Sequence, residues 1–333
     1  MHGNIQKGVR FGAALALALA LCATAALAAE TGGKHLVPVG HTVGVKLFSR
    51  GVVVVKLPEG STPARTCGLK TGDVIEACGG RTVTSTEQFQ SLLQENGTDT
   101  TELSVKRQGS PVTLSVEPER NEEGACCIGA WVRDSMAGIG TVTYYDPDSN
   151  TFGALGHGIT DGDTAALMPF GNGSILPSTV KAVKKGSCGS AGELRGEFDL
   201  TEELGQLYAN TGCGIFGTLN AACSLTEGKA LPVGDASEGP AVIRSNISGD
   251  EVREYAVEIL KTIPDAPDGR ELVISVTDPE LIAATGGIVQ GMSGSPILQN
   301  GQLVGAVTHV LLSDPTKGYG ISVETMLNTG TMT

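Results

Sequence analysis

Basic residues are scarce in this chain. It has 23 lysines and arginines against 36 aspartates and glutamates in 333 residues, which gives a formal net charge of −13. Proteins that bind the phosphate backbone of DNA or RNA present clustered Lys and Arg, and this sequence has no basic stripe. We therefore expect no nucleic acid among its partners.

Aromatic residues make up only 4% of the chain and charged residues 18%, whereas 40% of the residues are hydrophobic. That apolar fraction is large enough to offset the entropy lost on folding, so bulk disorder is excluded. The 47 glycines and 15 prolines favour turns and short strands over long helices. We expect a mainly β protein, and the length suggests about two domains.

Metal ligands are also few. The chain has five histidines, and its eight cysteines show no spacing typical of a zinc site. We predict no metal and no cofactor. Loss of Cys22 with the N-terminal segment would leave an odd number of cysteines, so at least one thiol stays free. Cys67 and Cys78 fall in one module, and we interpret them as small core residues rather than as a disulfide.

Residues 1–29 have the features of an export signal. Lys7 and Arg10 precede an uncharged run rich in Ala and Leu, which ends in the small-residue motif of residues 26–28. The run is long enough either for a signal peptide cleaved after Ala28 or for an N-terminal membrane anchor. In both cases we expect the rest of the chain to be exported as a soluble body.

Residues 36–118 are predicted to form a first module of short strands and one helix. Residues 60–83 read GSTPARTCGLKTGDVIEACGGRTV, which resembles the bacterial PDZ signature, in which a small residue and Pro open a helix before GLKxGDxI. A PDZ domain binds a peptide or chain terminus as an added strand. We expect that strand edge at Gly44, Val45, Lys46 and Leu47. The alternative is a spacer that only packs against its neighbour.

The charged stretch 119–125 is predicted to be a linker, and a second domain is expected over residues 126–333. Its sharpest motif is GMSGSP at residues 291–296, in which glycines flank Ser293. The motif, followed by an apolar strand and an Asn-Gly turn, resembles the nucleophile turn of chymotrypsin-like serine peptidases. The resemblance makes Ser293 the nucleophile rather than Ser295, and the backbone N–H groups of Gly291 and Ser293 the oxyanion hole.

A serine hydroxyl needs a neighbouring base, and histidine titrates near neutral pH. His157 ends a predicted strand and precedes Ser293, which is the order in which the two barrels of such a peptidase supply them. His309, in the strand GAVTHV, is the competing candidate.

Nearly all of the chain after residue 29 resembles a narrower family, the stage IV sporulation protein B peptidases. The matching strings are FGALGHGITD from Phe152, GELRGEFDL from Gly192, CGIFG from Cys213, and GGIVQGMSGSPILQNGQLVGAVTHVLLSDPTKGYGI from Gly286. The resemblance implies a signal or anchor, a PDZ domain of mixed α and β structure, and a chymotrypsin-like double β-barrel.

The family resemblance further implies a triad of His157, Asp278 and Ser293. The acid is open to question, because in the broader chymotrypsin-like layout it lies nearer the middle of the domain. Asp199 is one alternative, Asp161 and Asp163 lie close in sequence to His157, and a dyad without an acid is another.

The implied function is that of an exported serine endopeptidase of sporulation, acting between the forespore and mother-cell membranes. It would cleave a membrane-bound regulatory protein, which leads to activation of an intramembrane protease and a late sigma factor, and it would cleave itself. The PDZ domain would bind a peptide or chain terminus. The alternatives are a catalytically idle PDZ scaffold and a PDZ-containing quality-control protease.

Overall fold

The computed structural model describes residues 33–220 and 223–330. The predicted export segment, residues 1–29, lies outside the described residues. The chain from Leu36 onward forms one compact unit. In the part that is described, no helix is both long enough and apolar enough to cross a membrane.

Strands dominate the structure, which confirms the expectation of a mainly β protein. In chain order the strands are β1 (His35–Pro38), β2 (Thr42–Lys56), β3 (Val74–Cys78), β4 (Arg81–Thr82), β5 (Thr101–Arg107), β6 (Ser110–Val116), β7 (Glu119–Arg120), β8 (Cys126–Cys127), β9 (Trp131–Asp146), β10 (Thr151–Ala154), β11 (Asn172–Lys184), β12 (Glu193–Phe198), β13 (Gly205–Thr211), β14 (Gly214–Leu219), β15 (Leu231–Pro232), β16 (Gly239–Ser245), β17 (Arg253–Thr262), β18 (Leu272–Val276), β19 (Pro296–Gln299), β20 (Gln302–Val310) and β21 (Lys317–Ser322). The helices are α1 (Pro63–Thr66), α2 (Thr86–Asn96), α3 (Pro279–Thr285) and α4 (Val323–Gly330), and Ser224–Thr226 forms a 3₁₀ turn.

A first barrel is closed by antiparallel pairing in the order β2, β9, β10, β14, β13, β11 and back to β2. Alternate residues along these strands point inward, as the period of a pleated strand requires. They bury an apolar core that includes Val43, Phe152, Ile175 and Ile215. The barrel carries His157 in the turn that follows β10.

A second barrel is closed in the order β16, β17, β18, β21, β20 and β19. Its core includes Ile243, Ile259, Ile274 and Ile297, each at most 1% exposed. β19 and β20 form the hairpin predicted from Asn300-Gly301, with both residues at positive φ. The double β-barrel implied by the resemblance is therefore confirmed, and Ser293 lies just before β19.

The PDZ module consists of the second half of β2 with β3, β5 and β6, covered by α2. Helix α2 begins after Ser85, whose side chain accepts a hydrogen bond from the Gln88 N–H and so caps it. The helix buries Phe89, Leu92 and Leu93 against the strands.

Strands β2 and β9 each run through both the PDZ module and the first barrel. Residues 42–48 of β2 pair within the barrel, whereas Val52 and Val53 pair with β3. The predicted PDZ range 36–118 and the predicted peptidase range 126–333 are therefore connected through two strands that each take part in both the PDZ module and the first barrel.

The predicted peptide-binding edge lies inside the first barrel instead. The segment 44–47 pairs with residues 136–139 of β9 on one side and with residues 173–176 of β11 on the other. Its backbone groups are already used on both edges, so no strand can add there. The expectation for Gly44, Val45, Lys46 and Leu47 is thus corrected. The sequence of these residues is compatible with a long barrel strand as well as with a strand of a PDZ domain.

The seven described cysteines are all unpaired. Cys78 is buried in the PDZ core and Cys67 packs against that core. Both therefore occupy the core positions assigned to them from the sequence.

Removal of core volume from the second barrel should destabilise the protein. We expect Ile243→Ala to lower the free energy of unfolding by about 2–5 kcal/mol, because Ile243 is fully buried and its neighbours cannot close the cavity. Urea denaturation measures this. The control Leu200→Ala removes a side chain that is 73% exposed and should change the stability by less than about 0.5 kcal/mol. Equal effects of the two changes would contradict the assigned core.

Candidate active site

The turn that carries Ser293 depends on Gly294. This residue has φ of +95°, a conformation that L side chains rarely adopt. A Cβ atom there would also lie 2.0 Å from the Thr141 carbonyl oxygen in β9. Only glycine therefore lets the turn of the second barrel approach the first barrel this closely.

Thr141 holds this turn with two hydrogen bonds. Its backbone N–H donates to the Ser293 carbonyl oxygen at 2.9 Å, and its hydroxyl donates to the Gly291 carbonyl oxygen at 2.8 Å. The Thr141 side chain is fully buried, so water does not compete for these bonds. The position of the nucleophile is thus fixed relative to the barrel that carries His157.

The turn with His157 can approach β20 closely because residue 156 is a glycine, which has φ of +69°. A Cβ atom on Gly156 would lie 2.8 Å from Cγ2 of Thr308. His157 and Ser293 line one cleft of about 910 Å³ between the barrels, together with Gly291, Thr308 and His309. The structure therefore brings the predicted nucleophile, base and oxyanion loop together.

The tautomer of His157 follows from the hydrogen bond at its Nδ1. Its Nδ1 lies 2.9 Å from the carbonyl oxygen of Gly158. A carbonyl can only accept, so Nδ1 carries the proton, and in the neutral ring Nε2 is left with a free lone pair. That is the form in which a histidine takes a proton from serine. The Gly158 carbonyl thus orients the ring as the acid of a triad would.

Ser293 is in a resting arrangement. Its Oγ donates to the carbonyl oxygen of Thr308 at 2.8 Å, and among the described residues it makes no hydrogen bond to His157. Catalytic hydrogen bonds are often absent until substrate binds. To react with His157, the serine hydroxyl has to leave the Thr308 carbonyl oxygen.

The backbone around Ser293 leaves two N–H groups unused. Gln290, Met292, Gly294 and Ser295 each donate to a carbonyl oxygen. Within residues 33–220 and 223–330, the N–H groups of Gly291 and Ser293 make no such bond. Unpaired donors beside a nucleophile are what an oxyanion hole requires. These are the two N–H groups expected from the sequence.

His309 packs beside His157. The ring centroids of His157 and His309 are 5.0 Å apart, with the planes tilted by 39°. Burial lowers the pKa of His309 to about 4, and the neighbouring His157 adds to the effect. His309 is therefore neutral at physiological pH. Among the described residues its buried Nδ1 has no hydrogen-bond partner, so no bond at that atom fixes its tautomer.

Asp278 caps a helix. Its Oδ1 accepts hydrogen bonds from the N–H groups of Glu280 and Leu281 at the start of α3, at 2.9 and 3.0 Å. Its Oδ2 accepts from the Ala256 N–H at 3.2 Å. Both carboxylate oxygens thus accept backbone N–H groups, and among the described residues no hydrogen bond joins Asp278 to His157. The sequence Asp-Pro-Glu carries the signal of a capped helix start, and the role of Asp278 as the triad acid stays a prediction.

The other candidate acids also have different partners. Asp199 is exposed and accepts from Thr201. Asp161 is buried and, like Asp163, pairs with Arg133. In the described part of the chain, no carboxylate is hydrogen-bonded to His157.

The structure also bears on Ser295 as a nucleophile and on metal binding. Ser295 is fully buried and its hydroxyl bonds to Ser245, so it is not accessible to a substrate. The described residues contain no cluster of three or more His, Cys, Asp or Glu side chains that could hold a metal ion.

Two protein-family models match this sequence. The model of the SpoIVB peptidase S55 family matches residues 124–327, and a PDZ model matches residues 39–117. The chain belongs to the SpoIVB peptidase S55 family. It also carries a PDZ domain, and the S55 match includes both His157 and Ser293.

Individual proteins resemble smaller parts of this chain. Serine protease HTRA1 of Xenopus tropicalis is 35% identical over 74 residues, which span 22% of this chain and only 15% of the relative. The Rv3671c protease of M. tuberculosis in its active form is 14% identical, covers 60% of this chain and 74% of its own, and has a TM-score of 0.32. The PDZ domain of an SdrC-like protein from Listeria monocytogenes is 21% identical, covers 25% of this chain and 87% of its own, and has a TM-score of 0.23.

Substitutions at Asp278 separate a cap from a catalytic acid. Asp278→Asn keeps a good N-cap but removes the charge, so labelling of Ser293 by a fluorophosphonate should keep nearly the wild-type rate. Asp278→Ala should lower the free energy of unfolding by about 1 kcal/mol. A fall of about a thousandfold or more in the labelling rate of Asp278→Asn would instead identify a triad carboxylate.

The pH profile should reflect the burial of His157. Burial lowers the pKa of His157, although the Gly158 carbonyl opposes this. The base acts in its neutral form, so the labelling rate at Ser293 should rise with pH through that pKa. We expect the midpoint below about 6.5, the ordinary value for histidine. A midpoint above that value would mean that the charged ring is stabilised in the site, contrary to this geometry.

Proposed function

We propose that Ser293 and His157 cleave peptide bonds through an acyl-enzyme, with the Gly158 carbonyl in the place of a triad acid. The observation that carries this proposal is the fixed tautomer of His157 in the same cleft as Ser293. Nε2 takes the hydroxyl proton as Oγ attacks the substrate carbonyl carbon. The N–H groups of Gly291 and Ser293 stabilise the oxyanion.

The second half of the reaction uses the same groups. The protonated His157 donates its Nε2 proton to the leaving amine, which departs as the acyl-enzyme forms. Water then gives a proton to Nε2 and attacks the ester, and the acid product leaves as Ser293 recovers its proton. During these steps the Gly158 carbonyl continues to accept from Nδ1, which favours the charged ring when it forms.

The proposed biological role is more specific than the proposed reaction. The enzyme acts in spore formation, outside the cytoplasm, in the space between the forespore and mother-cell membranes. It cleaves a membrane-bound regulatory protein that controls an intramembrane protease and a late sigma factor, and it also cleaves itself. The family membership and the export signal read from residues 1–29 support this role.

A trapping experiment in sporulating cells tests this role. Ser293→Ala should abolish cleavage of the regulator and activation of the sigma factor, because it removes the nucleophile. Ser190→Ala, which changes an exposed serine outside the cleft, should behave as wild type. Chemical cross-linking to the inactive Ser293→Ala protein should capture one membrane protein.

Other outcomes identify the alternatives. Normal signalling by Ser293→Ala would mean that the proteolytic role is wrong and would favour a scaffold. Capture of many unrelated misfolded proteins would favour a quality-control protease.

A further inference from the structure

The segment 126–134, which we call the connecting segment, joins the PDZ module to the first barrel. Its last residues extend along the PDZ half of β2, with Trp131 opposite Lys56, Val132 opposite Val54 and Arg133 opposite Val53. Residues 131–133 of the connecting segment therefore add a strand to the PDZ sheet, next to β2.

The other side of the connecting segment is held by α2. Gln94 both donates to the Cys126 carbonyl oxygen at 2.9 Å and accepts from the Cys126 N–H at 3.0 Å, and Gln90 donates to the same carbonyl. At the other end, the Asp134 carboxylate accepts from the N–H and the hydroxyl of Thr86, at 2.8 and 2.9 Å. The connecting segment thus lies along α2 and is tied to both of its ends.

Alternate side chains of the connecting segment enter the PDZ core. Cys126 is fully buried, Ile128 is 2% exposed and belongs to the PDZ core, and Ala130 and Val132 pack against that core. The Ile128 carbonyl also accepts from the Ala64 N–H at 2.8 Å. Residues 126–127 pair with β7, whereas residues 131–133 combine main-chain pairing with β2 and packing of Val132 against the PDZ core. The contacts of residues 131–133 are those that an extended peptide makes when it adds to a sheet edge.

We propose that the connecting segment is an internal ligand that fills the peptide-binding site of the PDZ module. The partner that competes with it is an extended peptide with small or branched apolar residues at alternate positions, as at residues 126, 128, 130 and 132. Such a peptide binds only when the connecting segment leaves the interval between β2 and α2.

This occupancy is coupled to the catalytic cleft, a step that rests on the proposed function. Arg133 pairs with Asp161 and Asp163 in the loop that follows His157. The same strand, β9, continues to Thr141, which holds the turn of Ser293. With the connecting segment docked, the Ser293 hydroxyl donates to the Thr308 carbonyl oxygen. In this proposal the docked state is the resting state, and a competing peptide activates the enzyme.

The competition lowers the apparent affinity for an outside peptide. An internal ligand on a short connection has an effective concentration of the order of millimolar. The apparent dissociation constant for a peptide is the intrinsic constant divided by the fraction of molecules with an open site. Weakening the hold on the connecting segment should therefore strengthen peptide binding.

The test uses purified full-length protein and a fluorescent peptide that copies residues 126–134, with serine at the two cysteine positions. The double variant Gln94→Ala with Asp134→Ala removes the ties to α2. We expect it to bind the peptide at least about tenfold more tightly than wild type, because more of its sites are open. Glu95→Ala is the matched control, since Glu95 lies exposed on the same helix and pairs with Arg81.

A second measurement reports on the state of the catalytic cleft. Saturating peptide should raise the rate at which a fluorophosphonate labels Ser293 in wild type, and a scrambled peptide should not. Hydrogen exchange in the wild type should show residues 131–134 protected alone and unprotected with bound peptide, which keeps the test valid should the double variant fail to fold.

Three results would overturn the proposal. They are equal peptide affinity of wild type and a folded double variant, protection of residues 131–134 that survives peptide saturation, and a labelling rate that peptide leaves unchanged or lowers. If no protein labels at Ser293 while the binding and exchange results are as expected, the proposed catalytic function fails and the internal ligand stands.

Discussion

The two hydrogen bonds from Thr141 to the turn of Ser293 are the interaction on which the site depends. Nucleophile and base lie on different barrels, so their separation is only as fixed as the contact between those barrels. Thr141 supplies that contact from a fully buried position. Gly294 allows it, because any side chain there would meet the Thr141 carbonyl. Catalytic geometry of this kind tolerates displacements well below an ångström, which a buried, paired contact can maintain.

Given that contact, the base is oriented by the backbone. The Gly158 carbonyl fixes the tautomer of His157, and burial keeps the ring neutral and ready to accept a proton. A carbonyl dipole stabilises the charged ring less than a carboxylate would, since it has no full charge. The expected cost is a slower reaction than a carboxylate would support.

Much of this could be predicted from the sequence. Ser293 and its turn follow from a local pattern of glycines that resembles a peptidase nucleophile turn, and the two barrels follow from the family resemblance. Residues 44–47 and Asp278 could not be placed in the same way. An apolar strand does not reveal which strands pair with its two edges, and an aspartate before Pro279 can be a cap or an acid until the fold places it. Long-range pairing decides both, and that information is not local.

The most direct test of the account is covalent labelling of purified full-length protein with a fluorophosphonate, located by peptide mass spectrometry. Wild type should be labelled at Ser293, His157→Ala should lose the label, and His309→Ala should keep it, since only His157 has its tautomer fixed for proton transfer. A label that persists at Ser293 without His157, or one that disappears with His309 alone, would contradict the assignment of the base.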